Sequence, residues 1–417
     1  MTSLDSTRYE KRIAELFERH QSVQSAGFTS EAYKPGLDGM RALDAALGSP
    51  SGHLRCIHVA GTNGKGSVCS MLAASLAAPG RTVGLYTSPH LLDFRERIKV
   101  VEGDSMRMIP REDVWEFLES FEDRLAGRSF FEITTGLAFW WFARQEVDVA
   151  VIEVGLGGRL DSTNIITPEL SIVTSIGLDH CALLGGTRAE IAAEKAGIFK
   201  PAVPALVGTT DEQTAPVFEA AAARVHCPLF FADQCEPCCD MPEMDLTGPC
   251  QDVNFATVAA ALDLLGEDPE LEAISHTARI TGFHGRWEKI SDNPETICDI
   301  GHNPPALKKN FAMLQSLGRP LVIVYGVMAD KDLDGIAPLM PSGAEYVLVA
   351  PATSRAMDAC TLSARLSALR PDLSTRTAPD VRTGMKIAID LASAHPGCLI
   401  YVGGSTFVVA EAMQNTV

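Results

Sequence analysis

Short apolar runs that end in glycine or a polar residue alternate along this chain with segments of helical periodicity. Residues 56–60 form the first such run. The turn Gly61-Thr-Asn-Gly-Lys-Gly-Ser67 follows it, and then a helical pattern with Val68, Met71, Leu72 and Leu76 on one face. Residues 81–87, 147–154, 171–176 and 203–207 read as further strands. The third strand, 147–154, is almost continuously apolar, as a parallel strand covered on both faces should be. Residues 9–20, 36–47, 111–125, 133–144 and 251–265 read as helices. Thr187-x-x-Glu190 is a capping box that opens a helix through Lys195 to Phe199, stopped by Pro201. Residues 92–110, with Asp93, Arg95, Glu96, Arg97 and Lys99, read as a mobile polar segment, and 211–250 as loop-rich.

After a glycine-bearing stretch at 282–287, read as a hinge, a second series follows at 296–300, 321–327, 346–350 and 399–402, with a helix from Ala306. Strand–helix alternation in both halves predicts two α/β domains with mainly parallel sheets. The first, residues 1–282, is expected to be a P-loop ATPase-type domain. The second, residues 283–417, is expected to be a smaller Rossmann-like domain.

Length and composition agree with two or three globular domains: 417 residues, 46% hydrophobic and 21% charged. A net charge of −18 without a basic stripe argues against a nucleic-acid partner. No run approaches the ~18 apolar residues of a membrane span, and the N-terminal stretch lacks the apolar core of a signal peptide. The expected location is the cytoplasm. Cys235, Cys238, Cys239 and Cys250 cluster, but their spacing fits no common zinc pattern.

Candidate chemistry centres on the glycine turn. Strand, glycine loop and helix make a phosphate cradle, in which backbone N–H groups and the helix N-terminus face an anion. Lys65 adds a full charge and Ser67 a hydroxyl for Mg²⁺. The match to G-x-x-x-x-G-K-[ST] is imperfect, because Val59 stands where the first glycine belongs and Gly66 separates Lys65 from Ser67. Ser88, Glu153 and His180 each sit at or just past the end of a predicted strand, and in an open parallel sheet such ends converge on one edge. Glu153 is the hard anion that Mg²⁺ prefers, whereas histidine is an unusual ligand for it. Each has a plainer reading: Ser88 as a turn serine, Glu153 paired with Arg159, His180 as a loop histidine. Lys195 is either a solvated helix residue or a neutraliser of phosphate charge.

The motifs GTNGKGS, TSPHL (87–91), RERI (95–98), FFE (130–132), EVGLGGRLDSTN (153–164), DHCALLGGT…EKAGIFK (179–200), HGRWE (284–288), DIGHNP (299–304) and GVMADKD (326–332) occur in that order. Together they resemble the bacterial bifunctional dihydrofolate synthase/folylpolyglutamate synthase family, within the Mur ligase superfamily, over about residues 35–405. TSPHL, EVGLGGRLD and EKAGI mark the folate branch, and GTNGK is shared with the Mur ligases.

The resemblance implies an ATP-dependent ligase that joins L-glutamate to dihydropteroate and to reduced folates through an acyl phosphate. Gly61, Thr62, Asn63, Gly64, Lys65, Gly66 and Ser67 would bind ATP, completed by Asn254, Arg286, Asp299 and His302. Ser67, Ser88, Glu153, His180 and a carbamylated Lys195 would hold Mg²⁺, at up to two sites. Lys65, Glu153, His180 and Lys195 would be the catalytic group. Ser88, Pro89, His90, Leu91, Phe131, Glu132, Leu160, Asp161 and Ser162 would face the folate or pteroate. The second domain would close over ATP and bind glutamate, and the protein would act as a monomer on small molecules. Gly301 replaces an alanine usual in the family and is expected to be harmless. Cys181 stands where a longer side chain is common. The rival readings are a Mur-type ligase of cell-wall precursors, a folylpolyglutamate synthase alone, and a nucleotide-dependent switch without ligase chemistry.

Overall fold

A computed structural model of the chain describes residues 6–20, 27 and 34–414. They divide into two compact units. The first runs to Asp245 and resumes over Asp252–Phe283; the second takes Leu246–Gln251 and continues from His284.

Eight strands build the sheet of the first unit: β1 (Cys56–Ala60), β2 (Thr82–Tyr86), β3 (Ile98–Glu102), β4 (Ser105–Met108), β5 (Val149–Glu153), β6 (Leu170–Val173), β7 (Ala205–Val207) and β8 (Leu229–Phe231). Their order is β4-β3-β2-β5-β1-β6-β7-β8. From β2 to β8 every pairing is parallel, and β1 lies between β5 and β6 with Ile57 opposite both Val151 and Leu170. All five residues of β1 are buried, since helices cover both faces.

The helix Lys65–Ala77 departs from the one-sided pattern expected of it, because Gly66 through Ala77 are all buried. Its alanines, serines, cysteine and glycine let it pack closely on every side. One neighbour is the segment entering helix Leu271–Ser275, where the Glu270 N–H donates to Ser75 Oγ at 3.0 Å.

Two expectations are corrected here. Residues 92–110 are not a mobile polar segment. They form a capped turn, Phe94–Arg97, and then the antiparallel hairpin β3–β4 on the sheet edge. The charges that suggested solvent exposure are used internally: Arg97 and Lys99 are both only 3% exposed. Lys99 Nζ donates to the carbonyls of Thr281 and Gly282 at 2.8 and 2.9 Å. Residues 211–250 likewise contain more than loops, with an alanine-rich helix at Ala215–Val225 leading into β8. Alanine has the highest helix propensity, a signal that outweighs the short apolar face.

The aromatic core of this unit gathers on helix Phe130–Arg144, where Phe139, Trp141 and Phe142 are fully buried. Gly84 of β2 faces the Phe142 ring, which a Cβ there would meet at 3.1 Å. Truncating one of these aromatics to alanine costs about 3–5 kcal/mol.

The second unit carries six strands: β9 (Glu288–Asp292), β10 (Glu295–Asp299), β11 (Leu321–Tyr325), β12 (Glu345–Leu348), β13 (Ser374–Thr377) and β14 (Leu399–Gly403). Their order is β13-β12-β11-β14-β10-β9, parallel throughout except for β9. The sequence pattern missed β9 and β13 because both are polar edge strands with exposed positions.

Candidate active site

The glycine loop leaves β1 and is laced to the chain that leaves β6. The Thr62 N–H donates to the Ser175 carbonyl at 2.7 Å, and Thr174 Oγ1 and Ser175 Oγ both donate to the Asn63 carbonyl, at 2.7 and 2.9 Å. Asn63 N–H in turn donates to Ser175 Oγ. Thr62 and Asn63 therefore spend their backbone donors on holding the loop. The first helical bond runs from Val68 N–H to Gly64 O at 2.9 Å. The N–H groups of Lys65, Gly66 and Ser67 consequently have no acceptor within the helix, and these are the donors an anion can take. Thr174 and Ser175 were missed in the sequence reading; their signal is a pair of hydroxyls directly after an apolar strand.

Glycine is required at two loop positions. At Gly61, with φ +152°, a Cβ would collide with Thr174 Oγ1. At Gly64, with φ +88°, it would stand 2.5 Å from the Asn254 carboxamide oxygen. Asn254, buried on helix Gln251–Leu265, thus abuts the loop.

Two lysines converge on Gly61. Lys65 Nζ donates to the carbonyls of Gly61 and Thr62 at 3.1 and 3.3 Å, and Lys195 Nζ donates to Gly61 O at 2.9 Å. Lys195 is 4% exposed, which excludes the solvated reading. Burial, with the Lys65 charge second, pulls its ammonium down to about 7, against Asp179 and Asp161, which raise it. Beside it lies a cavity of about 30 Å³ lined by Gly61, Thr62, Lys65, Asp179 and His180 and closed by the 154–157 turn. That is room for one or two water-sized groups. His180 adopts φ +53°, and its N–H donates to Asp179 Oδ1 at 2.9 Å.

Glu153 ends β5 and is 3% exposed. Its Oε2 accepts from Ser88 N–H at 3.0 Å and lies 3.6 Å from the point where a Gly66 Cβ would stand. Ser88 and Glu153 are therefore brought together next to the loop that carries Ser67. Hydroxyls and a carboxylate form the hard oxygen set that suits Mg²⁺.

The residues assigned to folate occupy varied places. The loop containing Ser88, Pro89, His90 and Leu91 is folded by Glu96, whose carboxylate accepts from the N–H groups of Leu91, Leu92 and Asp93 at 2.7–2.9 Å. Sequence reasoning gave Glu96 no role. His90 Nδ1 accepts from Arg97 Nε at 2.8 Å, and burial plus that guanidinium push the ring down to about 3. Phe131 packs against Gly155, where a Cβ would enter its ring. Glu132 is taken up by the capping box of helix Phe130–Arg144 with Ser129. Asp161 accepts from Leu156 N–H at 2.9 Å and Thr163 N–H at 3.0 Å, so it organises the loop that holds Leu160 and Ser162.

In the second unit, Asp299 accepts from the N–H groups of Gly301 and Trp287 at 2.7 and 3.1 Å, and from Asn310. Burial raises its pKa, with Arg286 foremost among the groups that lower it. His302 Nδ1 donates to Ile300 O at 3.0 Å. A Cβ at Gly301 would lie 2.7 Å from Asp299 Oδ1, so glycine suits this tight turn.

Comparison with known proteins gives the family. Residues 285–406 match the Mur ligase, glutamate ligase domain. The dihydrofolate synthase/folylpolyglutamate synthase of Haemophilus influenzae is 31% identical, over 91% of this chain and 93% of its own. The chain belongs to the dihydrofolate synthase/folylpolyglutamate synthase family. Members of this family are ATP-dependent amide-forming ligases, and so is this protein.

A Haloferax volcanii relative, described as a probable bifunctional folylpolyglutamate synthase/dihydropteroate synthase, is 34% identical over 91% of this chain. The chain spans about half that protein's length, 48%. The bifunctional folylpolyglutamate synthase/dihydrofolate synthase of Yersinia pestis, solved with AMPPNP and a Mn ion, superposes with a TM-score of 0.81. It is 28% identical, with 97% of each chain covered. The two-domain α/β architecture expected from the sequence is thus the ligase fold. Among the described residues, no helix is long and apolar enough to cross a membrane. No group of three or more histidine, cysteine or acidic side chains among them forms a metal cluster, and Cys235, Cys238, Cys239 and Cys250 form no disulfide.

Proposed function

We propose that this ligase joins L-glutamate both to dihydropteroate and to reduced folates, through an acyl phosphate. The observation that carries the reading is Lys195: a buried amine with its pKa near 7, bonded to the same carbonyl as the loop lysine and facing a small cavity. An amine in that state is partly unprotonated at neutral pH and can take up CO₂. The carbamate formed, lysine N–CO₂⁻, is an anionic oxygen ligand where the amine was none. Ser67, Ser88, Glu153 and His180 would hold Mg²⁺ with it; bound there, Mg²⁺ supplies positive charge to phosphoryl oxygens.

The free N–H groups of Lys65, Gly66 and Ser67 cradle the β- and γ-phosphates, and the Lys65 ammonium offsets charge that spreads over the γ-phosphoryl oxygens. The acceptor carboxylate attacks phosphorus, ADP leaves, and the glutamate amine displaces phosphate from the acyl carbon. The proposal assigns Asn254, Arg286, Asp299 and His302 to the nucleotide and the 88–91 loop, Phe131 and Leu160 to the pteroate. Glu132 and Asp161 support these segments rather than touch the ligand, since their carboxylates are engaged by the protein.

The test is ADP release by the purified protein with Mg·ATP and L-glutamate, run separately with dihydropteroate and with a reduced folate. Turnover with both is expected. Turnover with the folate alone restricts the protein to polyglutamate extension, and silence with both overturns the reading.

A further inference from the structure

We propose that His58 is a positioning residue for the ligation reaction, acting through Thr163 and Asp161 on the turn that closes the Lys195 cavity. The inference rests on the function proposed above.

His58 lies in β1, among apolar neighbours, and is 0% exposed. Its Nε2 stands 2.8 Å from Thr163 Oγ1, and Thr163 Oγ1 is hydrogen-bonded to Asp161 Oδ1. The direction of these bonds follows from donor counting. An ionised carboxylate only accepts, so the Thr163 hydroxyl proton points to Asp161. The threonine oxygen is then left to accept, and His58 must carry its proton on Nε2.

The other ring nitrogen, Nδ1, has no hydrogen-bond partner among the described residues. A buried nitrogen without a partner is a cost that an apolar residue at position 58 would avoid. What the histidine gives in exchange is one oriented donor for Thr163. Burial, reinforced by Lys200, pushes the ring down to about 3, so this donor stays the same across the neutral range.

The effect of the chain reaches the cavity. Asp161 also holds Leu156 N–H and Thr163 N–H, which sets the turn from 155 to 163. That turn lies on Lys195. Arg159 N–H donates to Glu194 O at 2.8 Å, and a Cβ at Gly158 would stand 2.9 Å from Lys195 O. Gly155, Leu156 and Gly157 line the cavity together with Lys195 and His180. His58 thus sets the wall of the cavity from the strand that also launches the phosphate loop.

The test compares wild type with His58→Leu, His58→Gln, Thr163→Val, Thr163→Ser and the His58→Leu/Thr163→Val double variant. Steady-state kinetics and thermal melting are measured for each. His58→Leu and Thr163→Val are each expected to lower kcat about 10- to 100-fold while the KM for ATP stays within about 2-fold. The double variant is no worse than either single one, because all three break the same chain. Glutamine, which keeps an N–H, and serine, which keeps the hydroxyl, restore most of the loss. Multiplying losses, or a lowered Tm with unchanged kcat, overturn the proposal.

Labelling of Lys195 by cyanate, read by mass spectrometry, reports the cavity without any turnover and so separates this inference from the functional reading. The Leu and Val variants are expected to change the labelling rate about 5-fold or more, with Gln and Ser near wild type. Equal labelling in all variants also overturns it.

Discussion

Phe283 lays the tip of its ring against Gly66: a Cβ built on that glycine would stand 2.8 Å from the ring's Cζ. The aromatic that ends the first unit therefore touches the inserted glycine of the phosphate loop, one of the two departures from the motif. Gly66→Ala should drive the ring away and shift the loop's free N–H groups. We expect a stability loss of about 1–3 kcal/mol and a rise of about 10-fold in the KM for ATP. Phe283→Leu in the Gly66→Ala background should recover part of both. Denaturant melts and ATP titrations check this.

Lys99 holds the carbonyls of Thr281 and Gly282, directly before Phe283. Burial brings its ammonium down to about 8. Between about pH 8 and 10.5 the unfolded chain keeps a proton that the folded chain releases, so this group makes stability rise with pH through that window. Lys99→Met should remove that rise and cost about 1–3 kcal/mol at pH 7, since one buried and one half-buried carbonyl lose their donor. Melts of both proteins from pH 7 to 10 give the comparison.

Lys195 should take up ¹³CO₂, detected as a carbamate carbon resonance absent from Lys195→Met. Uptake needs the unprotonated amine and should increase as pH rises through about 7. Lys195→Met and Lys195→Arg should both lower kcat by about 10²-fold or more, at unchanged Tm within a few degrees. Short carboxylic acids added to Lys195→Met should restore part of the rate.

Glu153→Gln keeps an oxygen that can accept from Ser88 N–H but removes the charge. The fold should survive. The Mg²⁺ concentration for half-maximal rate should rise about 10-fold or more, as read by a metal titration at saturating ATP.

What the sequence made legible followed from how strongly each local pattern was determined. β1 and its glycine turn could be read directly, because a buried parallel strand is apolar throughout and a tight loop needs glycine at Gly61 and Gly64. The β3–β4 hairpin could not. Arg97 and Lys99 look solvated in sequence, and only tertiary partners, His90 for one and the Thr281–Gly282 carbonyls for the other, show why they are buried. The candidate site was legible as a set of strand ends, yet the residues that shape it make only structural hydrogen bonds: Thr174 and Ser175 carry no motif, and Glu96 lies within RERI with nothing in the motif to mark its partners. Glu132 and Asp161 show the reverse case: their motifs pointed to the ligand, and in the structure their carboxylates make the hydrogen bonds of a helix cap and a turn. The missed helix Ala215–Val225 was a matter of propensity without a clear apolar period.

The most direct measurement is the fate of oxygen from the acceptor. A reduced folate labelled with ¹⁸O in its terminal carboxylate is incubated with the protein, Mg·ATP and L-glutamate, and the released phosphate is analysed by mass spectrometry. The acyl-phosphate route transfers one labelled oxygen to phosphate for each amide formed. Amide formation with unlabelled phosphate would contradict it.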